Sequence, residues 1–130
     1  MYERTTRNIA VSVAPRFMAE ESSPRHGRFF WAYTVEIANQ GDTPVQLMAR
    51  YWNITDSDGR VQEVRGPGVI GEQPVIEPGG VFRYTSGCPL STPDGLMVGA
   101  YEMVDADGRS FEVAIPAFPL DSPHARRSLH

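Results

Sequence analysis

Apolar residues alternate with polar or small ones along most of this chain, and this alternation constrains the fold more than any other feature. A strand points successive side chains to opposite faces of its sheet, so period-two alternation predicts half-buried strands. The segment 28–39, RFFWAYTVEIAN, is the longest example. Its alternating large residues are Phe29, Trp31, Tyr33, Val35 and Ile37. No segment shows the apolar spacing of an amphipathic helix, so we expect under about a tenth of the residues in α-helix.

Short segments of this kind are separated by turn-forming residues throughout the chain. Gly59 and Gly108 each end an Asp-x-Asp-Gly sequence, and glycine adopts the positive φ that a tight hairpin needs. Many short strands with regular turns predict an all-β fold, an antiparallel β-sandwich of seven to eight strands. The predicted strands lie within 8–13, 28–39, 45–55, 60–64, 74–77, 81–86, 96–104 and 110–118, with a polar loop at 15–27.

Length, charge and cysteine content narrow the class of protein. The 130 residues predict one domain, which we place at 1–121, followed by a disordered C-terminal tail at 122–130 with almost no apolar content. The single cysteine, Cys88, excludes an intramolecular disulfide and a cysteine-based zinc cluster. The formal net charge of −4 disfavours nucleic acid as the main partner. Without an N-terminal apolar run we expect no signal peptide, no membrane span and a cytoplasmic protein.

A glycine motif stands in the segment EVRGPGVIGEQP. Gly66, Gly68 and Gly71 have the G-x-G-x-x-G spacing of dinucleotide-binding loops. That loop works only between a strand and a helix whose free N–H groups face the pyrophosphate. Pro67 and Pro74 bracket the motif and disfavour a helix after it, so a Rossmann nucleotide site is not expected. A plain connection at the sheet edge and a binding loop both stay open.

The binding-loop interpretation has two forms. Backbone N–H groups beside glycines can hold an anion without a helix, and Arg65 could assist. Val69 and Ile70, in the middle of the loop, are either a plug into the core or a docking knob for another protein. The docking knob is favoured, because the loop lies outside every predicted strand. The candidate binding-loop residues are Arg65, Gly66, Gly68, Val69, Ile70 and Gly71.

Metal sites are not indicated by the sequence. The three histidines have no metal-ligand spacing, and they stand at His26, His124 and His130. The pairs Asp56/Asp58 and Asp105/Asp107 resemble part of a calcium loop, but the distant glutamate of that loop is absent. We therefore interpret both pairs as hairpin corners and expect no metal ion and no cofactor.

A catalytic centre is not indicated either. Cys88 lies in the sequence TSGCPL, which predicts a turn near a strand end, and no histidine is close to it in sequence. A free thiol is therefore expected rather than an activated nucleophile. Trp31 and Trp52 are predicted core residues, and Trp52 stands on the strand where sandwich domains often bury a tryptophan. Tyr84 and Tyr101 are predicted in the core with their hydroxyls at its rim.

Three consecutive patterns together resemble one family. They are R-x-W-x-I-x-D-x-x-G from Arg50, V-x-G-x-G-V-x-G-x-x-P from Val64, and P-G-x-x-F-x-Y-x-S-G from Pro78. This combination is similar to the bacterial ApaG family, over about residues 5–121. It also resembles a domain at the end of some eukaryotic F-box proteins and of a polymerase-delta-interacting protein. The resemblance implies a fibronectin-III/immunoglobulin-like sandwich.

The resemblance also implies a function. Bacterial members are linked by genetics to cobalt tolerance and magnesium efflux, and the eukaryotic domains serve in protein recognition. The family brings no catalytic residues, so we expect a non-enzymatic protein-interaction module with a protein partner. Two alternatives remain open: a sensor for a small anion or phosphate ligand that uses the glycine loop, and direct binding of a divalent cation. A monomer and a weak homodimer are both compatible with the sequence.

Overall fold

The computed structural model describes residues 1–125, and nine strands make up most of them. Residues 126–130 lie outside the described residues, and with them most of the predicted tail and His130. Between residues 1 and 125 the only helices are two 3-10 turns, Ala19–Glu21 and Pro24–His26. The strands are β1 (Tyr2–Thr6), β2 (Ile9–Phe17), β3 (Phe29–Asn39), β4 (Val45–Asp56), β5 (Val61–Pro67), β6 (Val75–Ile76), β7 (Val81–Leu90), β8 (Gly95–Val104) and β9 (Ser110–Leu120).

The strands form two antiparallel sheets packed face to face. One sheet has the order β1-β2-β3-β7, and the other has the order β5-β4-β8-β9 with β6 added beside β4. This arrangement confirms the predicted fold class, a fibronectin-III/immunoglobulin-like antiparallel β-sandwich. β1 is the one strand that the alternation did not predict. Its side chains are mostly exposed on both faces, so it has no apolar period.

Alternating side chains of both sheets meet in the core. β3 alternates buried and half-buried residues along its whole length, as predicted. Trp52 is 3% exposed, which confirms it as a core residue, and its ring lies 5.4 Å from that of Tyr33 and 5.9 Å from that of Phe118. The hydroxyls of Tyr84 and Tyr101 hydrogen-bond each other inside the core. The two hydroxyls therefore lie inside the core and not at its rim as predicted, because each is the hydrogen-bond partner of the other.

The two long sides of the sandwich differ. On one side β1 and β2 contact β9, which brings the sheets together. On the other side the sheets end at β5 and β7, which pair only with β4 and β3 respectively. A cleft lies between these two edges, and Val64, Val69 and Ile70 line it on the side of β5. This open side of the sandwich positions the candidate site.

Two predicted boundaries need correction. β2 continues through Phe17, so the predicted loop 15–27 begins later than expected. β7 continues through Cys88 and Pro89, where a turn was predicted. Pro15 and Pro89 lie at these two places, and each lacks a neighbouring strand on one side. β1 ends opposite Val13, before Pro15, and β7 is the edge of its sheet. An edge strand tolerates proline because no ladder hydrogen bond is lost there.

Candidate functional site

The glycine motif begins in a strand and ends in a tight turn. Arg65 and Gly66 belong to β5, so this part of the motif is not in a loop as predicted. The Gly68 N–H donates to the Met48 carbonyl of β4 at 2.8 Å. Val69 and Glu72 exchange two backbone hydrogen bonds of 2.9 Å, which close the turn. The segment is therefore attached to β4 and closed on itself.

Each of the first two glycines has a local structural reason. Gly68 has a φ of +60°, and a Cβ there would lie 2.2 Å from the Glu72 carbonyl oxygen. A Cβ at Gly66 would lie 3.0 Å from an Arg50 guanidinium nitrogen, so the missing side chain lets that group lie flat against β5. The turn and the packing of Arg50 account for these glycines without a nucleotide.

The backbone N–H groups of the loop are largely used within the fold. The amides of Gly68, Val69 and Glu72 all donate to backbone carbonyls. Arg65 does not approach them, because its guanidinium lies 4.4 Å from the ring centre of Tyr51 and pairs with Glu63 at 3.3 Å on the outer face. The loop geometry therefore gives the predicted anion nest no support.

Val69 and Ile70 point in different directions. Val69 is 1% exposed and belongs to the core, so the favoured docking-knob interpretation is wrong for this residue. Ile70 is 56% exposed at the tip of the turn, where a docking knob would stand. Its φ is +43°, a left-handed conformation that β-branched residues rarely adopt. The turn thus uses one apolar residue as a core plug and presents the other to solvent.

The cleft between β5 and β7 has a volume of about 320 Å³ and reaches inward to Trp52 and Met97. Its walls are mainly apolar, with Ile54, Val64 and Val69 on the side of β4 and β5. Among the described residues, the polar ones that line it are Tyr33, Arg50, Gln62, Tyr84, Ser86 and Cys88. An apolar cleft with a few convergent polar groups is the usual form of a ligand site.

Arg50 is the charged residue of this cleft, and the sequence interpretation missed it. It lies on the same face of β4 as Trp52 and Ile54, and is half-buried. Its Nη1 donates to the carbonyls of Pro67 and Gly68, both at 3.0 Å. The pattern R-x-W-x-I carries the signal, since period two places the arginine on the inward face.

The hydroxyl and thiol groups of the cleft are all held in their neutral forms. Burial raises the pKa of Tyr33, an effect that Ser86 and Arg50 partly offset. Burial also raises the pKa of the Cys88 thiol to about 11. The Cys88 thiol is therefore protonated at neutral pH and a poor nucleophile. In the described chain its hydrogen-bond acceptor is the Pro89 carbonyl.

These shifts predict that the domain loses stability in alkali. The pKa values of Tyr33, Tyr84, Cys88 and Tyr101 are all raised by burial. A raised pKa in the folded state stabilises the fold below the unfolded pKa, which is about 8.5 for cysteine and about 10 for tyrosine. We expect the free energy of unfolding from urea titrations to be level up to about pH 8 and to fall from about pH 9 upward.

Cys88→Val is the control for this prediction, because it removes the group with the lowest unfolded pKa. In this variant we expect the decline to begin about one pH unit later, near the tyrosine range. A wild-type free energy of unfolding that stays constant between about pH 8 and pH 10.5 would contradict the prediction.

A second concavity of about 700 Å³ lies on the outer face of the β5-β4-β8-β9 sheet. Its floor is formed partly by small residues, Ala49 and Ala100. The charged residues that line it are Arg50, which also lines the cleft, Arg65, Glu102 and Glu112. Its charges are mixed, and Arg65 already pairs with Glu63. Residues of both charge signs line this surface and do not favour one class of ligand, so the cleft is the better candidate site.

The groups considered for metal binding have other contacts. Asp105 accepts backbone hydrogen bonds from Asp107 and Arg109, of which the bond from Arg109 contributes most to lowering its pKa. Asp56 receives the same pair of bonds in its own hairpin. His124 packs on the rings of Phe17 and Phe29. Over residues 1–125, no three His, Cys, Asp or Glu side chains are grouped so that they could hold a metal ion.

The same residues contain no helix with the length and apolarity to cross a membrane.

Comparison with known proteins identifies the family. The ApaG domain matches residues 19–105. The chain belongs to the ApaG family. "Protein ApaG" of Methylobacterium radiotolerans is 62% identical over 130 residues and covers 100% of both chains. "Protein ApaG" of Paramagnetospirillum magneticum is 58% identical over the same length, with 100% of both chains covered.

Solved structures share this fold, with and without a similar sequence. The crystal structure of an ApaA protein from Bordetella pertussis has a TM-score of 0.87 and 50% sequence identity, and the match covers 90% of this chain and 95% of that one. The C-terminal domain of wzt has a TM-score of 0.54 at 10% identity, which is a likeness of fold alone.

Proposed function

We propose that this ApaG-family domain is a non-enzymatic protein-recognition module that contacts its partner through Ile70. The observation that carries the proposal is an exposed β-branched side chain held in a left-handed conformation. A residue in such a conformation costs about 1–3 kcal/mol and persists only where the surroundings enforce it. Glycine or asparagine would fill the position without that cost.

The surroundings of Ile70 enforce its position. The two hydrogen bonds between Val69 and Glu72 close the turn on either side of it. The buried side chain of Val69 and the bond from Gly68 to Met48 attach the turn to the sandwich. A backbone that is already fixed loses little conformational entropy when a partner covers the side chain that it presents. This preorganisation favours recognition over a mere connection between strands.

The chemistry of the domain supports a binding role rather than catalysis. The buried Cys88 thiol has a pKa raised to about 11 and is not activated. The tyrosine hydroxyls of the cleft also have raised pKa values, so none is poised as a base at neutral pH. The cobalt-tolerance and magnesium-efflux link implied by the family would then act through the partner. This explanation of the metal link depends on the proposed protein partner.

The substitution Ile70→Asn tests the proposed contact. Asparagine tolerates the left-handed conformation, so we expect a melting temperature equal to or above that of the wild type. A partner captured by the wild-type domain would be purified and titrated against both proteins by calorimetry. We expect binding to the variant to be at least about tenfold weaker, as for a central apolar contact.

Val81→Thr is the matched control for Ile70→Asn. Val81 is 59% exposed and lies in β7, so its substitution removes a similar apolar surface elsewhere on the domain. We expect this variant to keep its affinity for the partner. Equal affinity of Ile70→Asn and the wild type for the purified partner would refute the role of Ile70.

A further inference from the structure

Arg50 carries a charge that the fold does not neutralise. Arg60, Arg65 and Arg83 each pair with a carboxylate, and all three are exposed. Arg50 is half-buried, and within residues 1–125 no carboxylate lies within 4.0 Å of its guanidinium. Its two hydrogen bonds to backbone carbonyls use its N–H donors but leave the positive charge without a counter-ion. A half-buried charge is partly desolvated, and a counter-ion offsets the cost of that desolvation.

The groups around Arg50 suit an anionic oxygen. Tyr33 and Ser86 are cross-strand partners on β3 and β7, and their hydroxyls line the cleft opposite Arg50. A carboxylate accepts hydrogen bonds from a guanidinium and from hydroxyls, and bonds to charged groups are the stronger ones. Burial raises the pKa of Tyr33, so its hydroxyl keeps its proton at neutral pH.

The remaining walls suit an apolar body. Trp52, Ile54 and Met97 form the inner part of the cleft. Among the described residues that line the cleft, Arg50 is the one cationic residue, so a single negative charge is matched and a phosphate dianion is not. We infer that this cleft binds a carboxylate carried on a small apolar group, with Arg50 as its counter-ion. Both a free short-chain acid and the C-terminal residue of a peptide have this chemistry.

The glycine motif contributes to this site by making room. A Cβ at Gly66 would lie within 3.0–3.1 Å of three guanidinium atoms of Arg50. Pro67 and Gly68 supply the carbonyls that orient the guanidinium. The motif therefore positions an arginine instead of offering its own amides to an anion. The inference does not depend on the proposed protein partner, because its test uses small ligands.

Hexanoate and its neutral isostere hexanamide are the probes that test the inference. Amide chemical shifts of the ¹⁵N-labelled domain would be recorded during each titration. We expect saturable shifts confined to residues of the cleft, with a dissociation constant in the millimolar range, about 1–10 mM, and at least about tenfold weaker binding of hexanamide. Equal binding of the two probes, shifts outside the cleft, or no saturation by about 50 mM would overturn the inference.

Two variants separate the charge of Arg50 from charge in general. Arg50→Gln should weaken hexanoate binding at least about tenfold, whereas Arg65→Gln, on the outer face of the same sheet, should change it less than about twofold. Equal loss in both variants would contradict the inference. If Arg50→Gln does not fold, Ser86→Ala decides, with an expected loss of about threefold in binding hexanoate and none in binding hexanamide. Unchanged hexanoate binding in Ser86→Ala would count against the site.

A comparison of N-acetyl-leucine with hexanoate distinguishes the two sources of the carboxylate. Tighter binding of N-acetyl-leucine than of hexanoate assigns the cleft to a peptide C-terminus. Tighter binding of hexanoate assigns it to a free acid. Phosphate should produce no saturable shift at the same concentrations, and saturable phosphate binding in the cleft would overturn the assignment to a carboxylate.

Discussion

Replacing Trp52 with alanine is expected to lower the free energy of unfolding by about 3–5 kcal/mol, the usual cost of deleting a large buried aromatic. The indole lies between the sheets, with the rings of Tyr33 and Phe118 within 6 Å of it. Gly99, opposite on β8, leaves space for it, since a Cβ there would lie 2.7 Å from the indole. The cavity left by alanine therefore opens at the point where β3, β4, β8 and β9 meet.

Tyr51→Ala is the matched control, because Tyr51 is the neighbour of Trp52 on the opposite face of β4. Its loss removes the Glu63 hydrogen bond of 2.8 Å and the contact with Arg65, both exposed. We expect a loss of about 1 kcal/mol, which urea unfolding of both variants would measure. Similar losses in Trp52→Ala and Tyr51→Ala would show that the two faces of β4 are assigned the wrong way round.

The regular strands could be predicted because one buried face gives them a clear period. β3 is the best case, since every second residue from Phe29 to Asn39 is buried. Trp52 is predicted in the core for another reason, because sandwich domains often bury a tryptophan on this strand. β1 gave no such signal, because it packs by its backbone against β2 while its side chains stay exposed. Its register is fixed by pairing with a strand that comes later in the chain, and alternation does not report such pairing.

The candidate site was only partly predictable from the sequence. The glycines draw attention to 66–71, but their role depends on residues distant in the chain. Gly66 makes room for Arg50, and Gly68 bonds Met48. β4 also changes register between Leu47 and Ala49, so the faces of its two halves cannot be assigned from one alternation. Cys88 was misplaced because Gly87 and Pro89 usually indicate a turn, yet both are tolerated in the edge strand β7.

The opposite orientations of Val69 and Ile70 also could not be predicted from the sequence. Both are apolar and adjacent, so composition alone treats them alike. The backbone decides between them: the turn closes at Val69 and Glu72, which directs Val69 inward and leaves Ile70 at the tip. The positive φ of Ile70 is a property of that closed turn, and no sequence pattern for a β-branched residue predicts it.

Gly68→Ala is the other substitution with a large expected effect. At a φ of +60° alanine is strained by about 1–2 kcal/mol, and its Cβ would lie 2.2 Å from the backbone oxygen of Glu72. Backbone cannot rotate away as a flexible side chain does, so the turn must shift and withdraw Val69 from the core. The burial of an aliphatic side chain contributes about 1.5–3 kcal/mol, so we expect a total loss of about 3–5 kcal/mol.

Gly71→Ala separates this structural role from ligand binding. Gly71 has a φ of +79° but open space around its Cβ position, so alanine should cost only the conformational strain of about 1–2 kcal/mol. Urea unfolding of the two variants would measure the difference. In a motif that binds phosphate through its amides, all the glycines are needed for the ligand. The loss of stability on replacing each glycine then need not depend on the space around its Cβ position. Equal losses of stability for Gly68→Ala and Gly71→Ala would therefore contradict the explanation of the motif as a closed turn that holds Val69 in the core and orients Arg50.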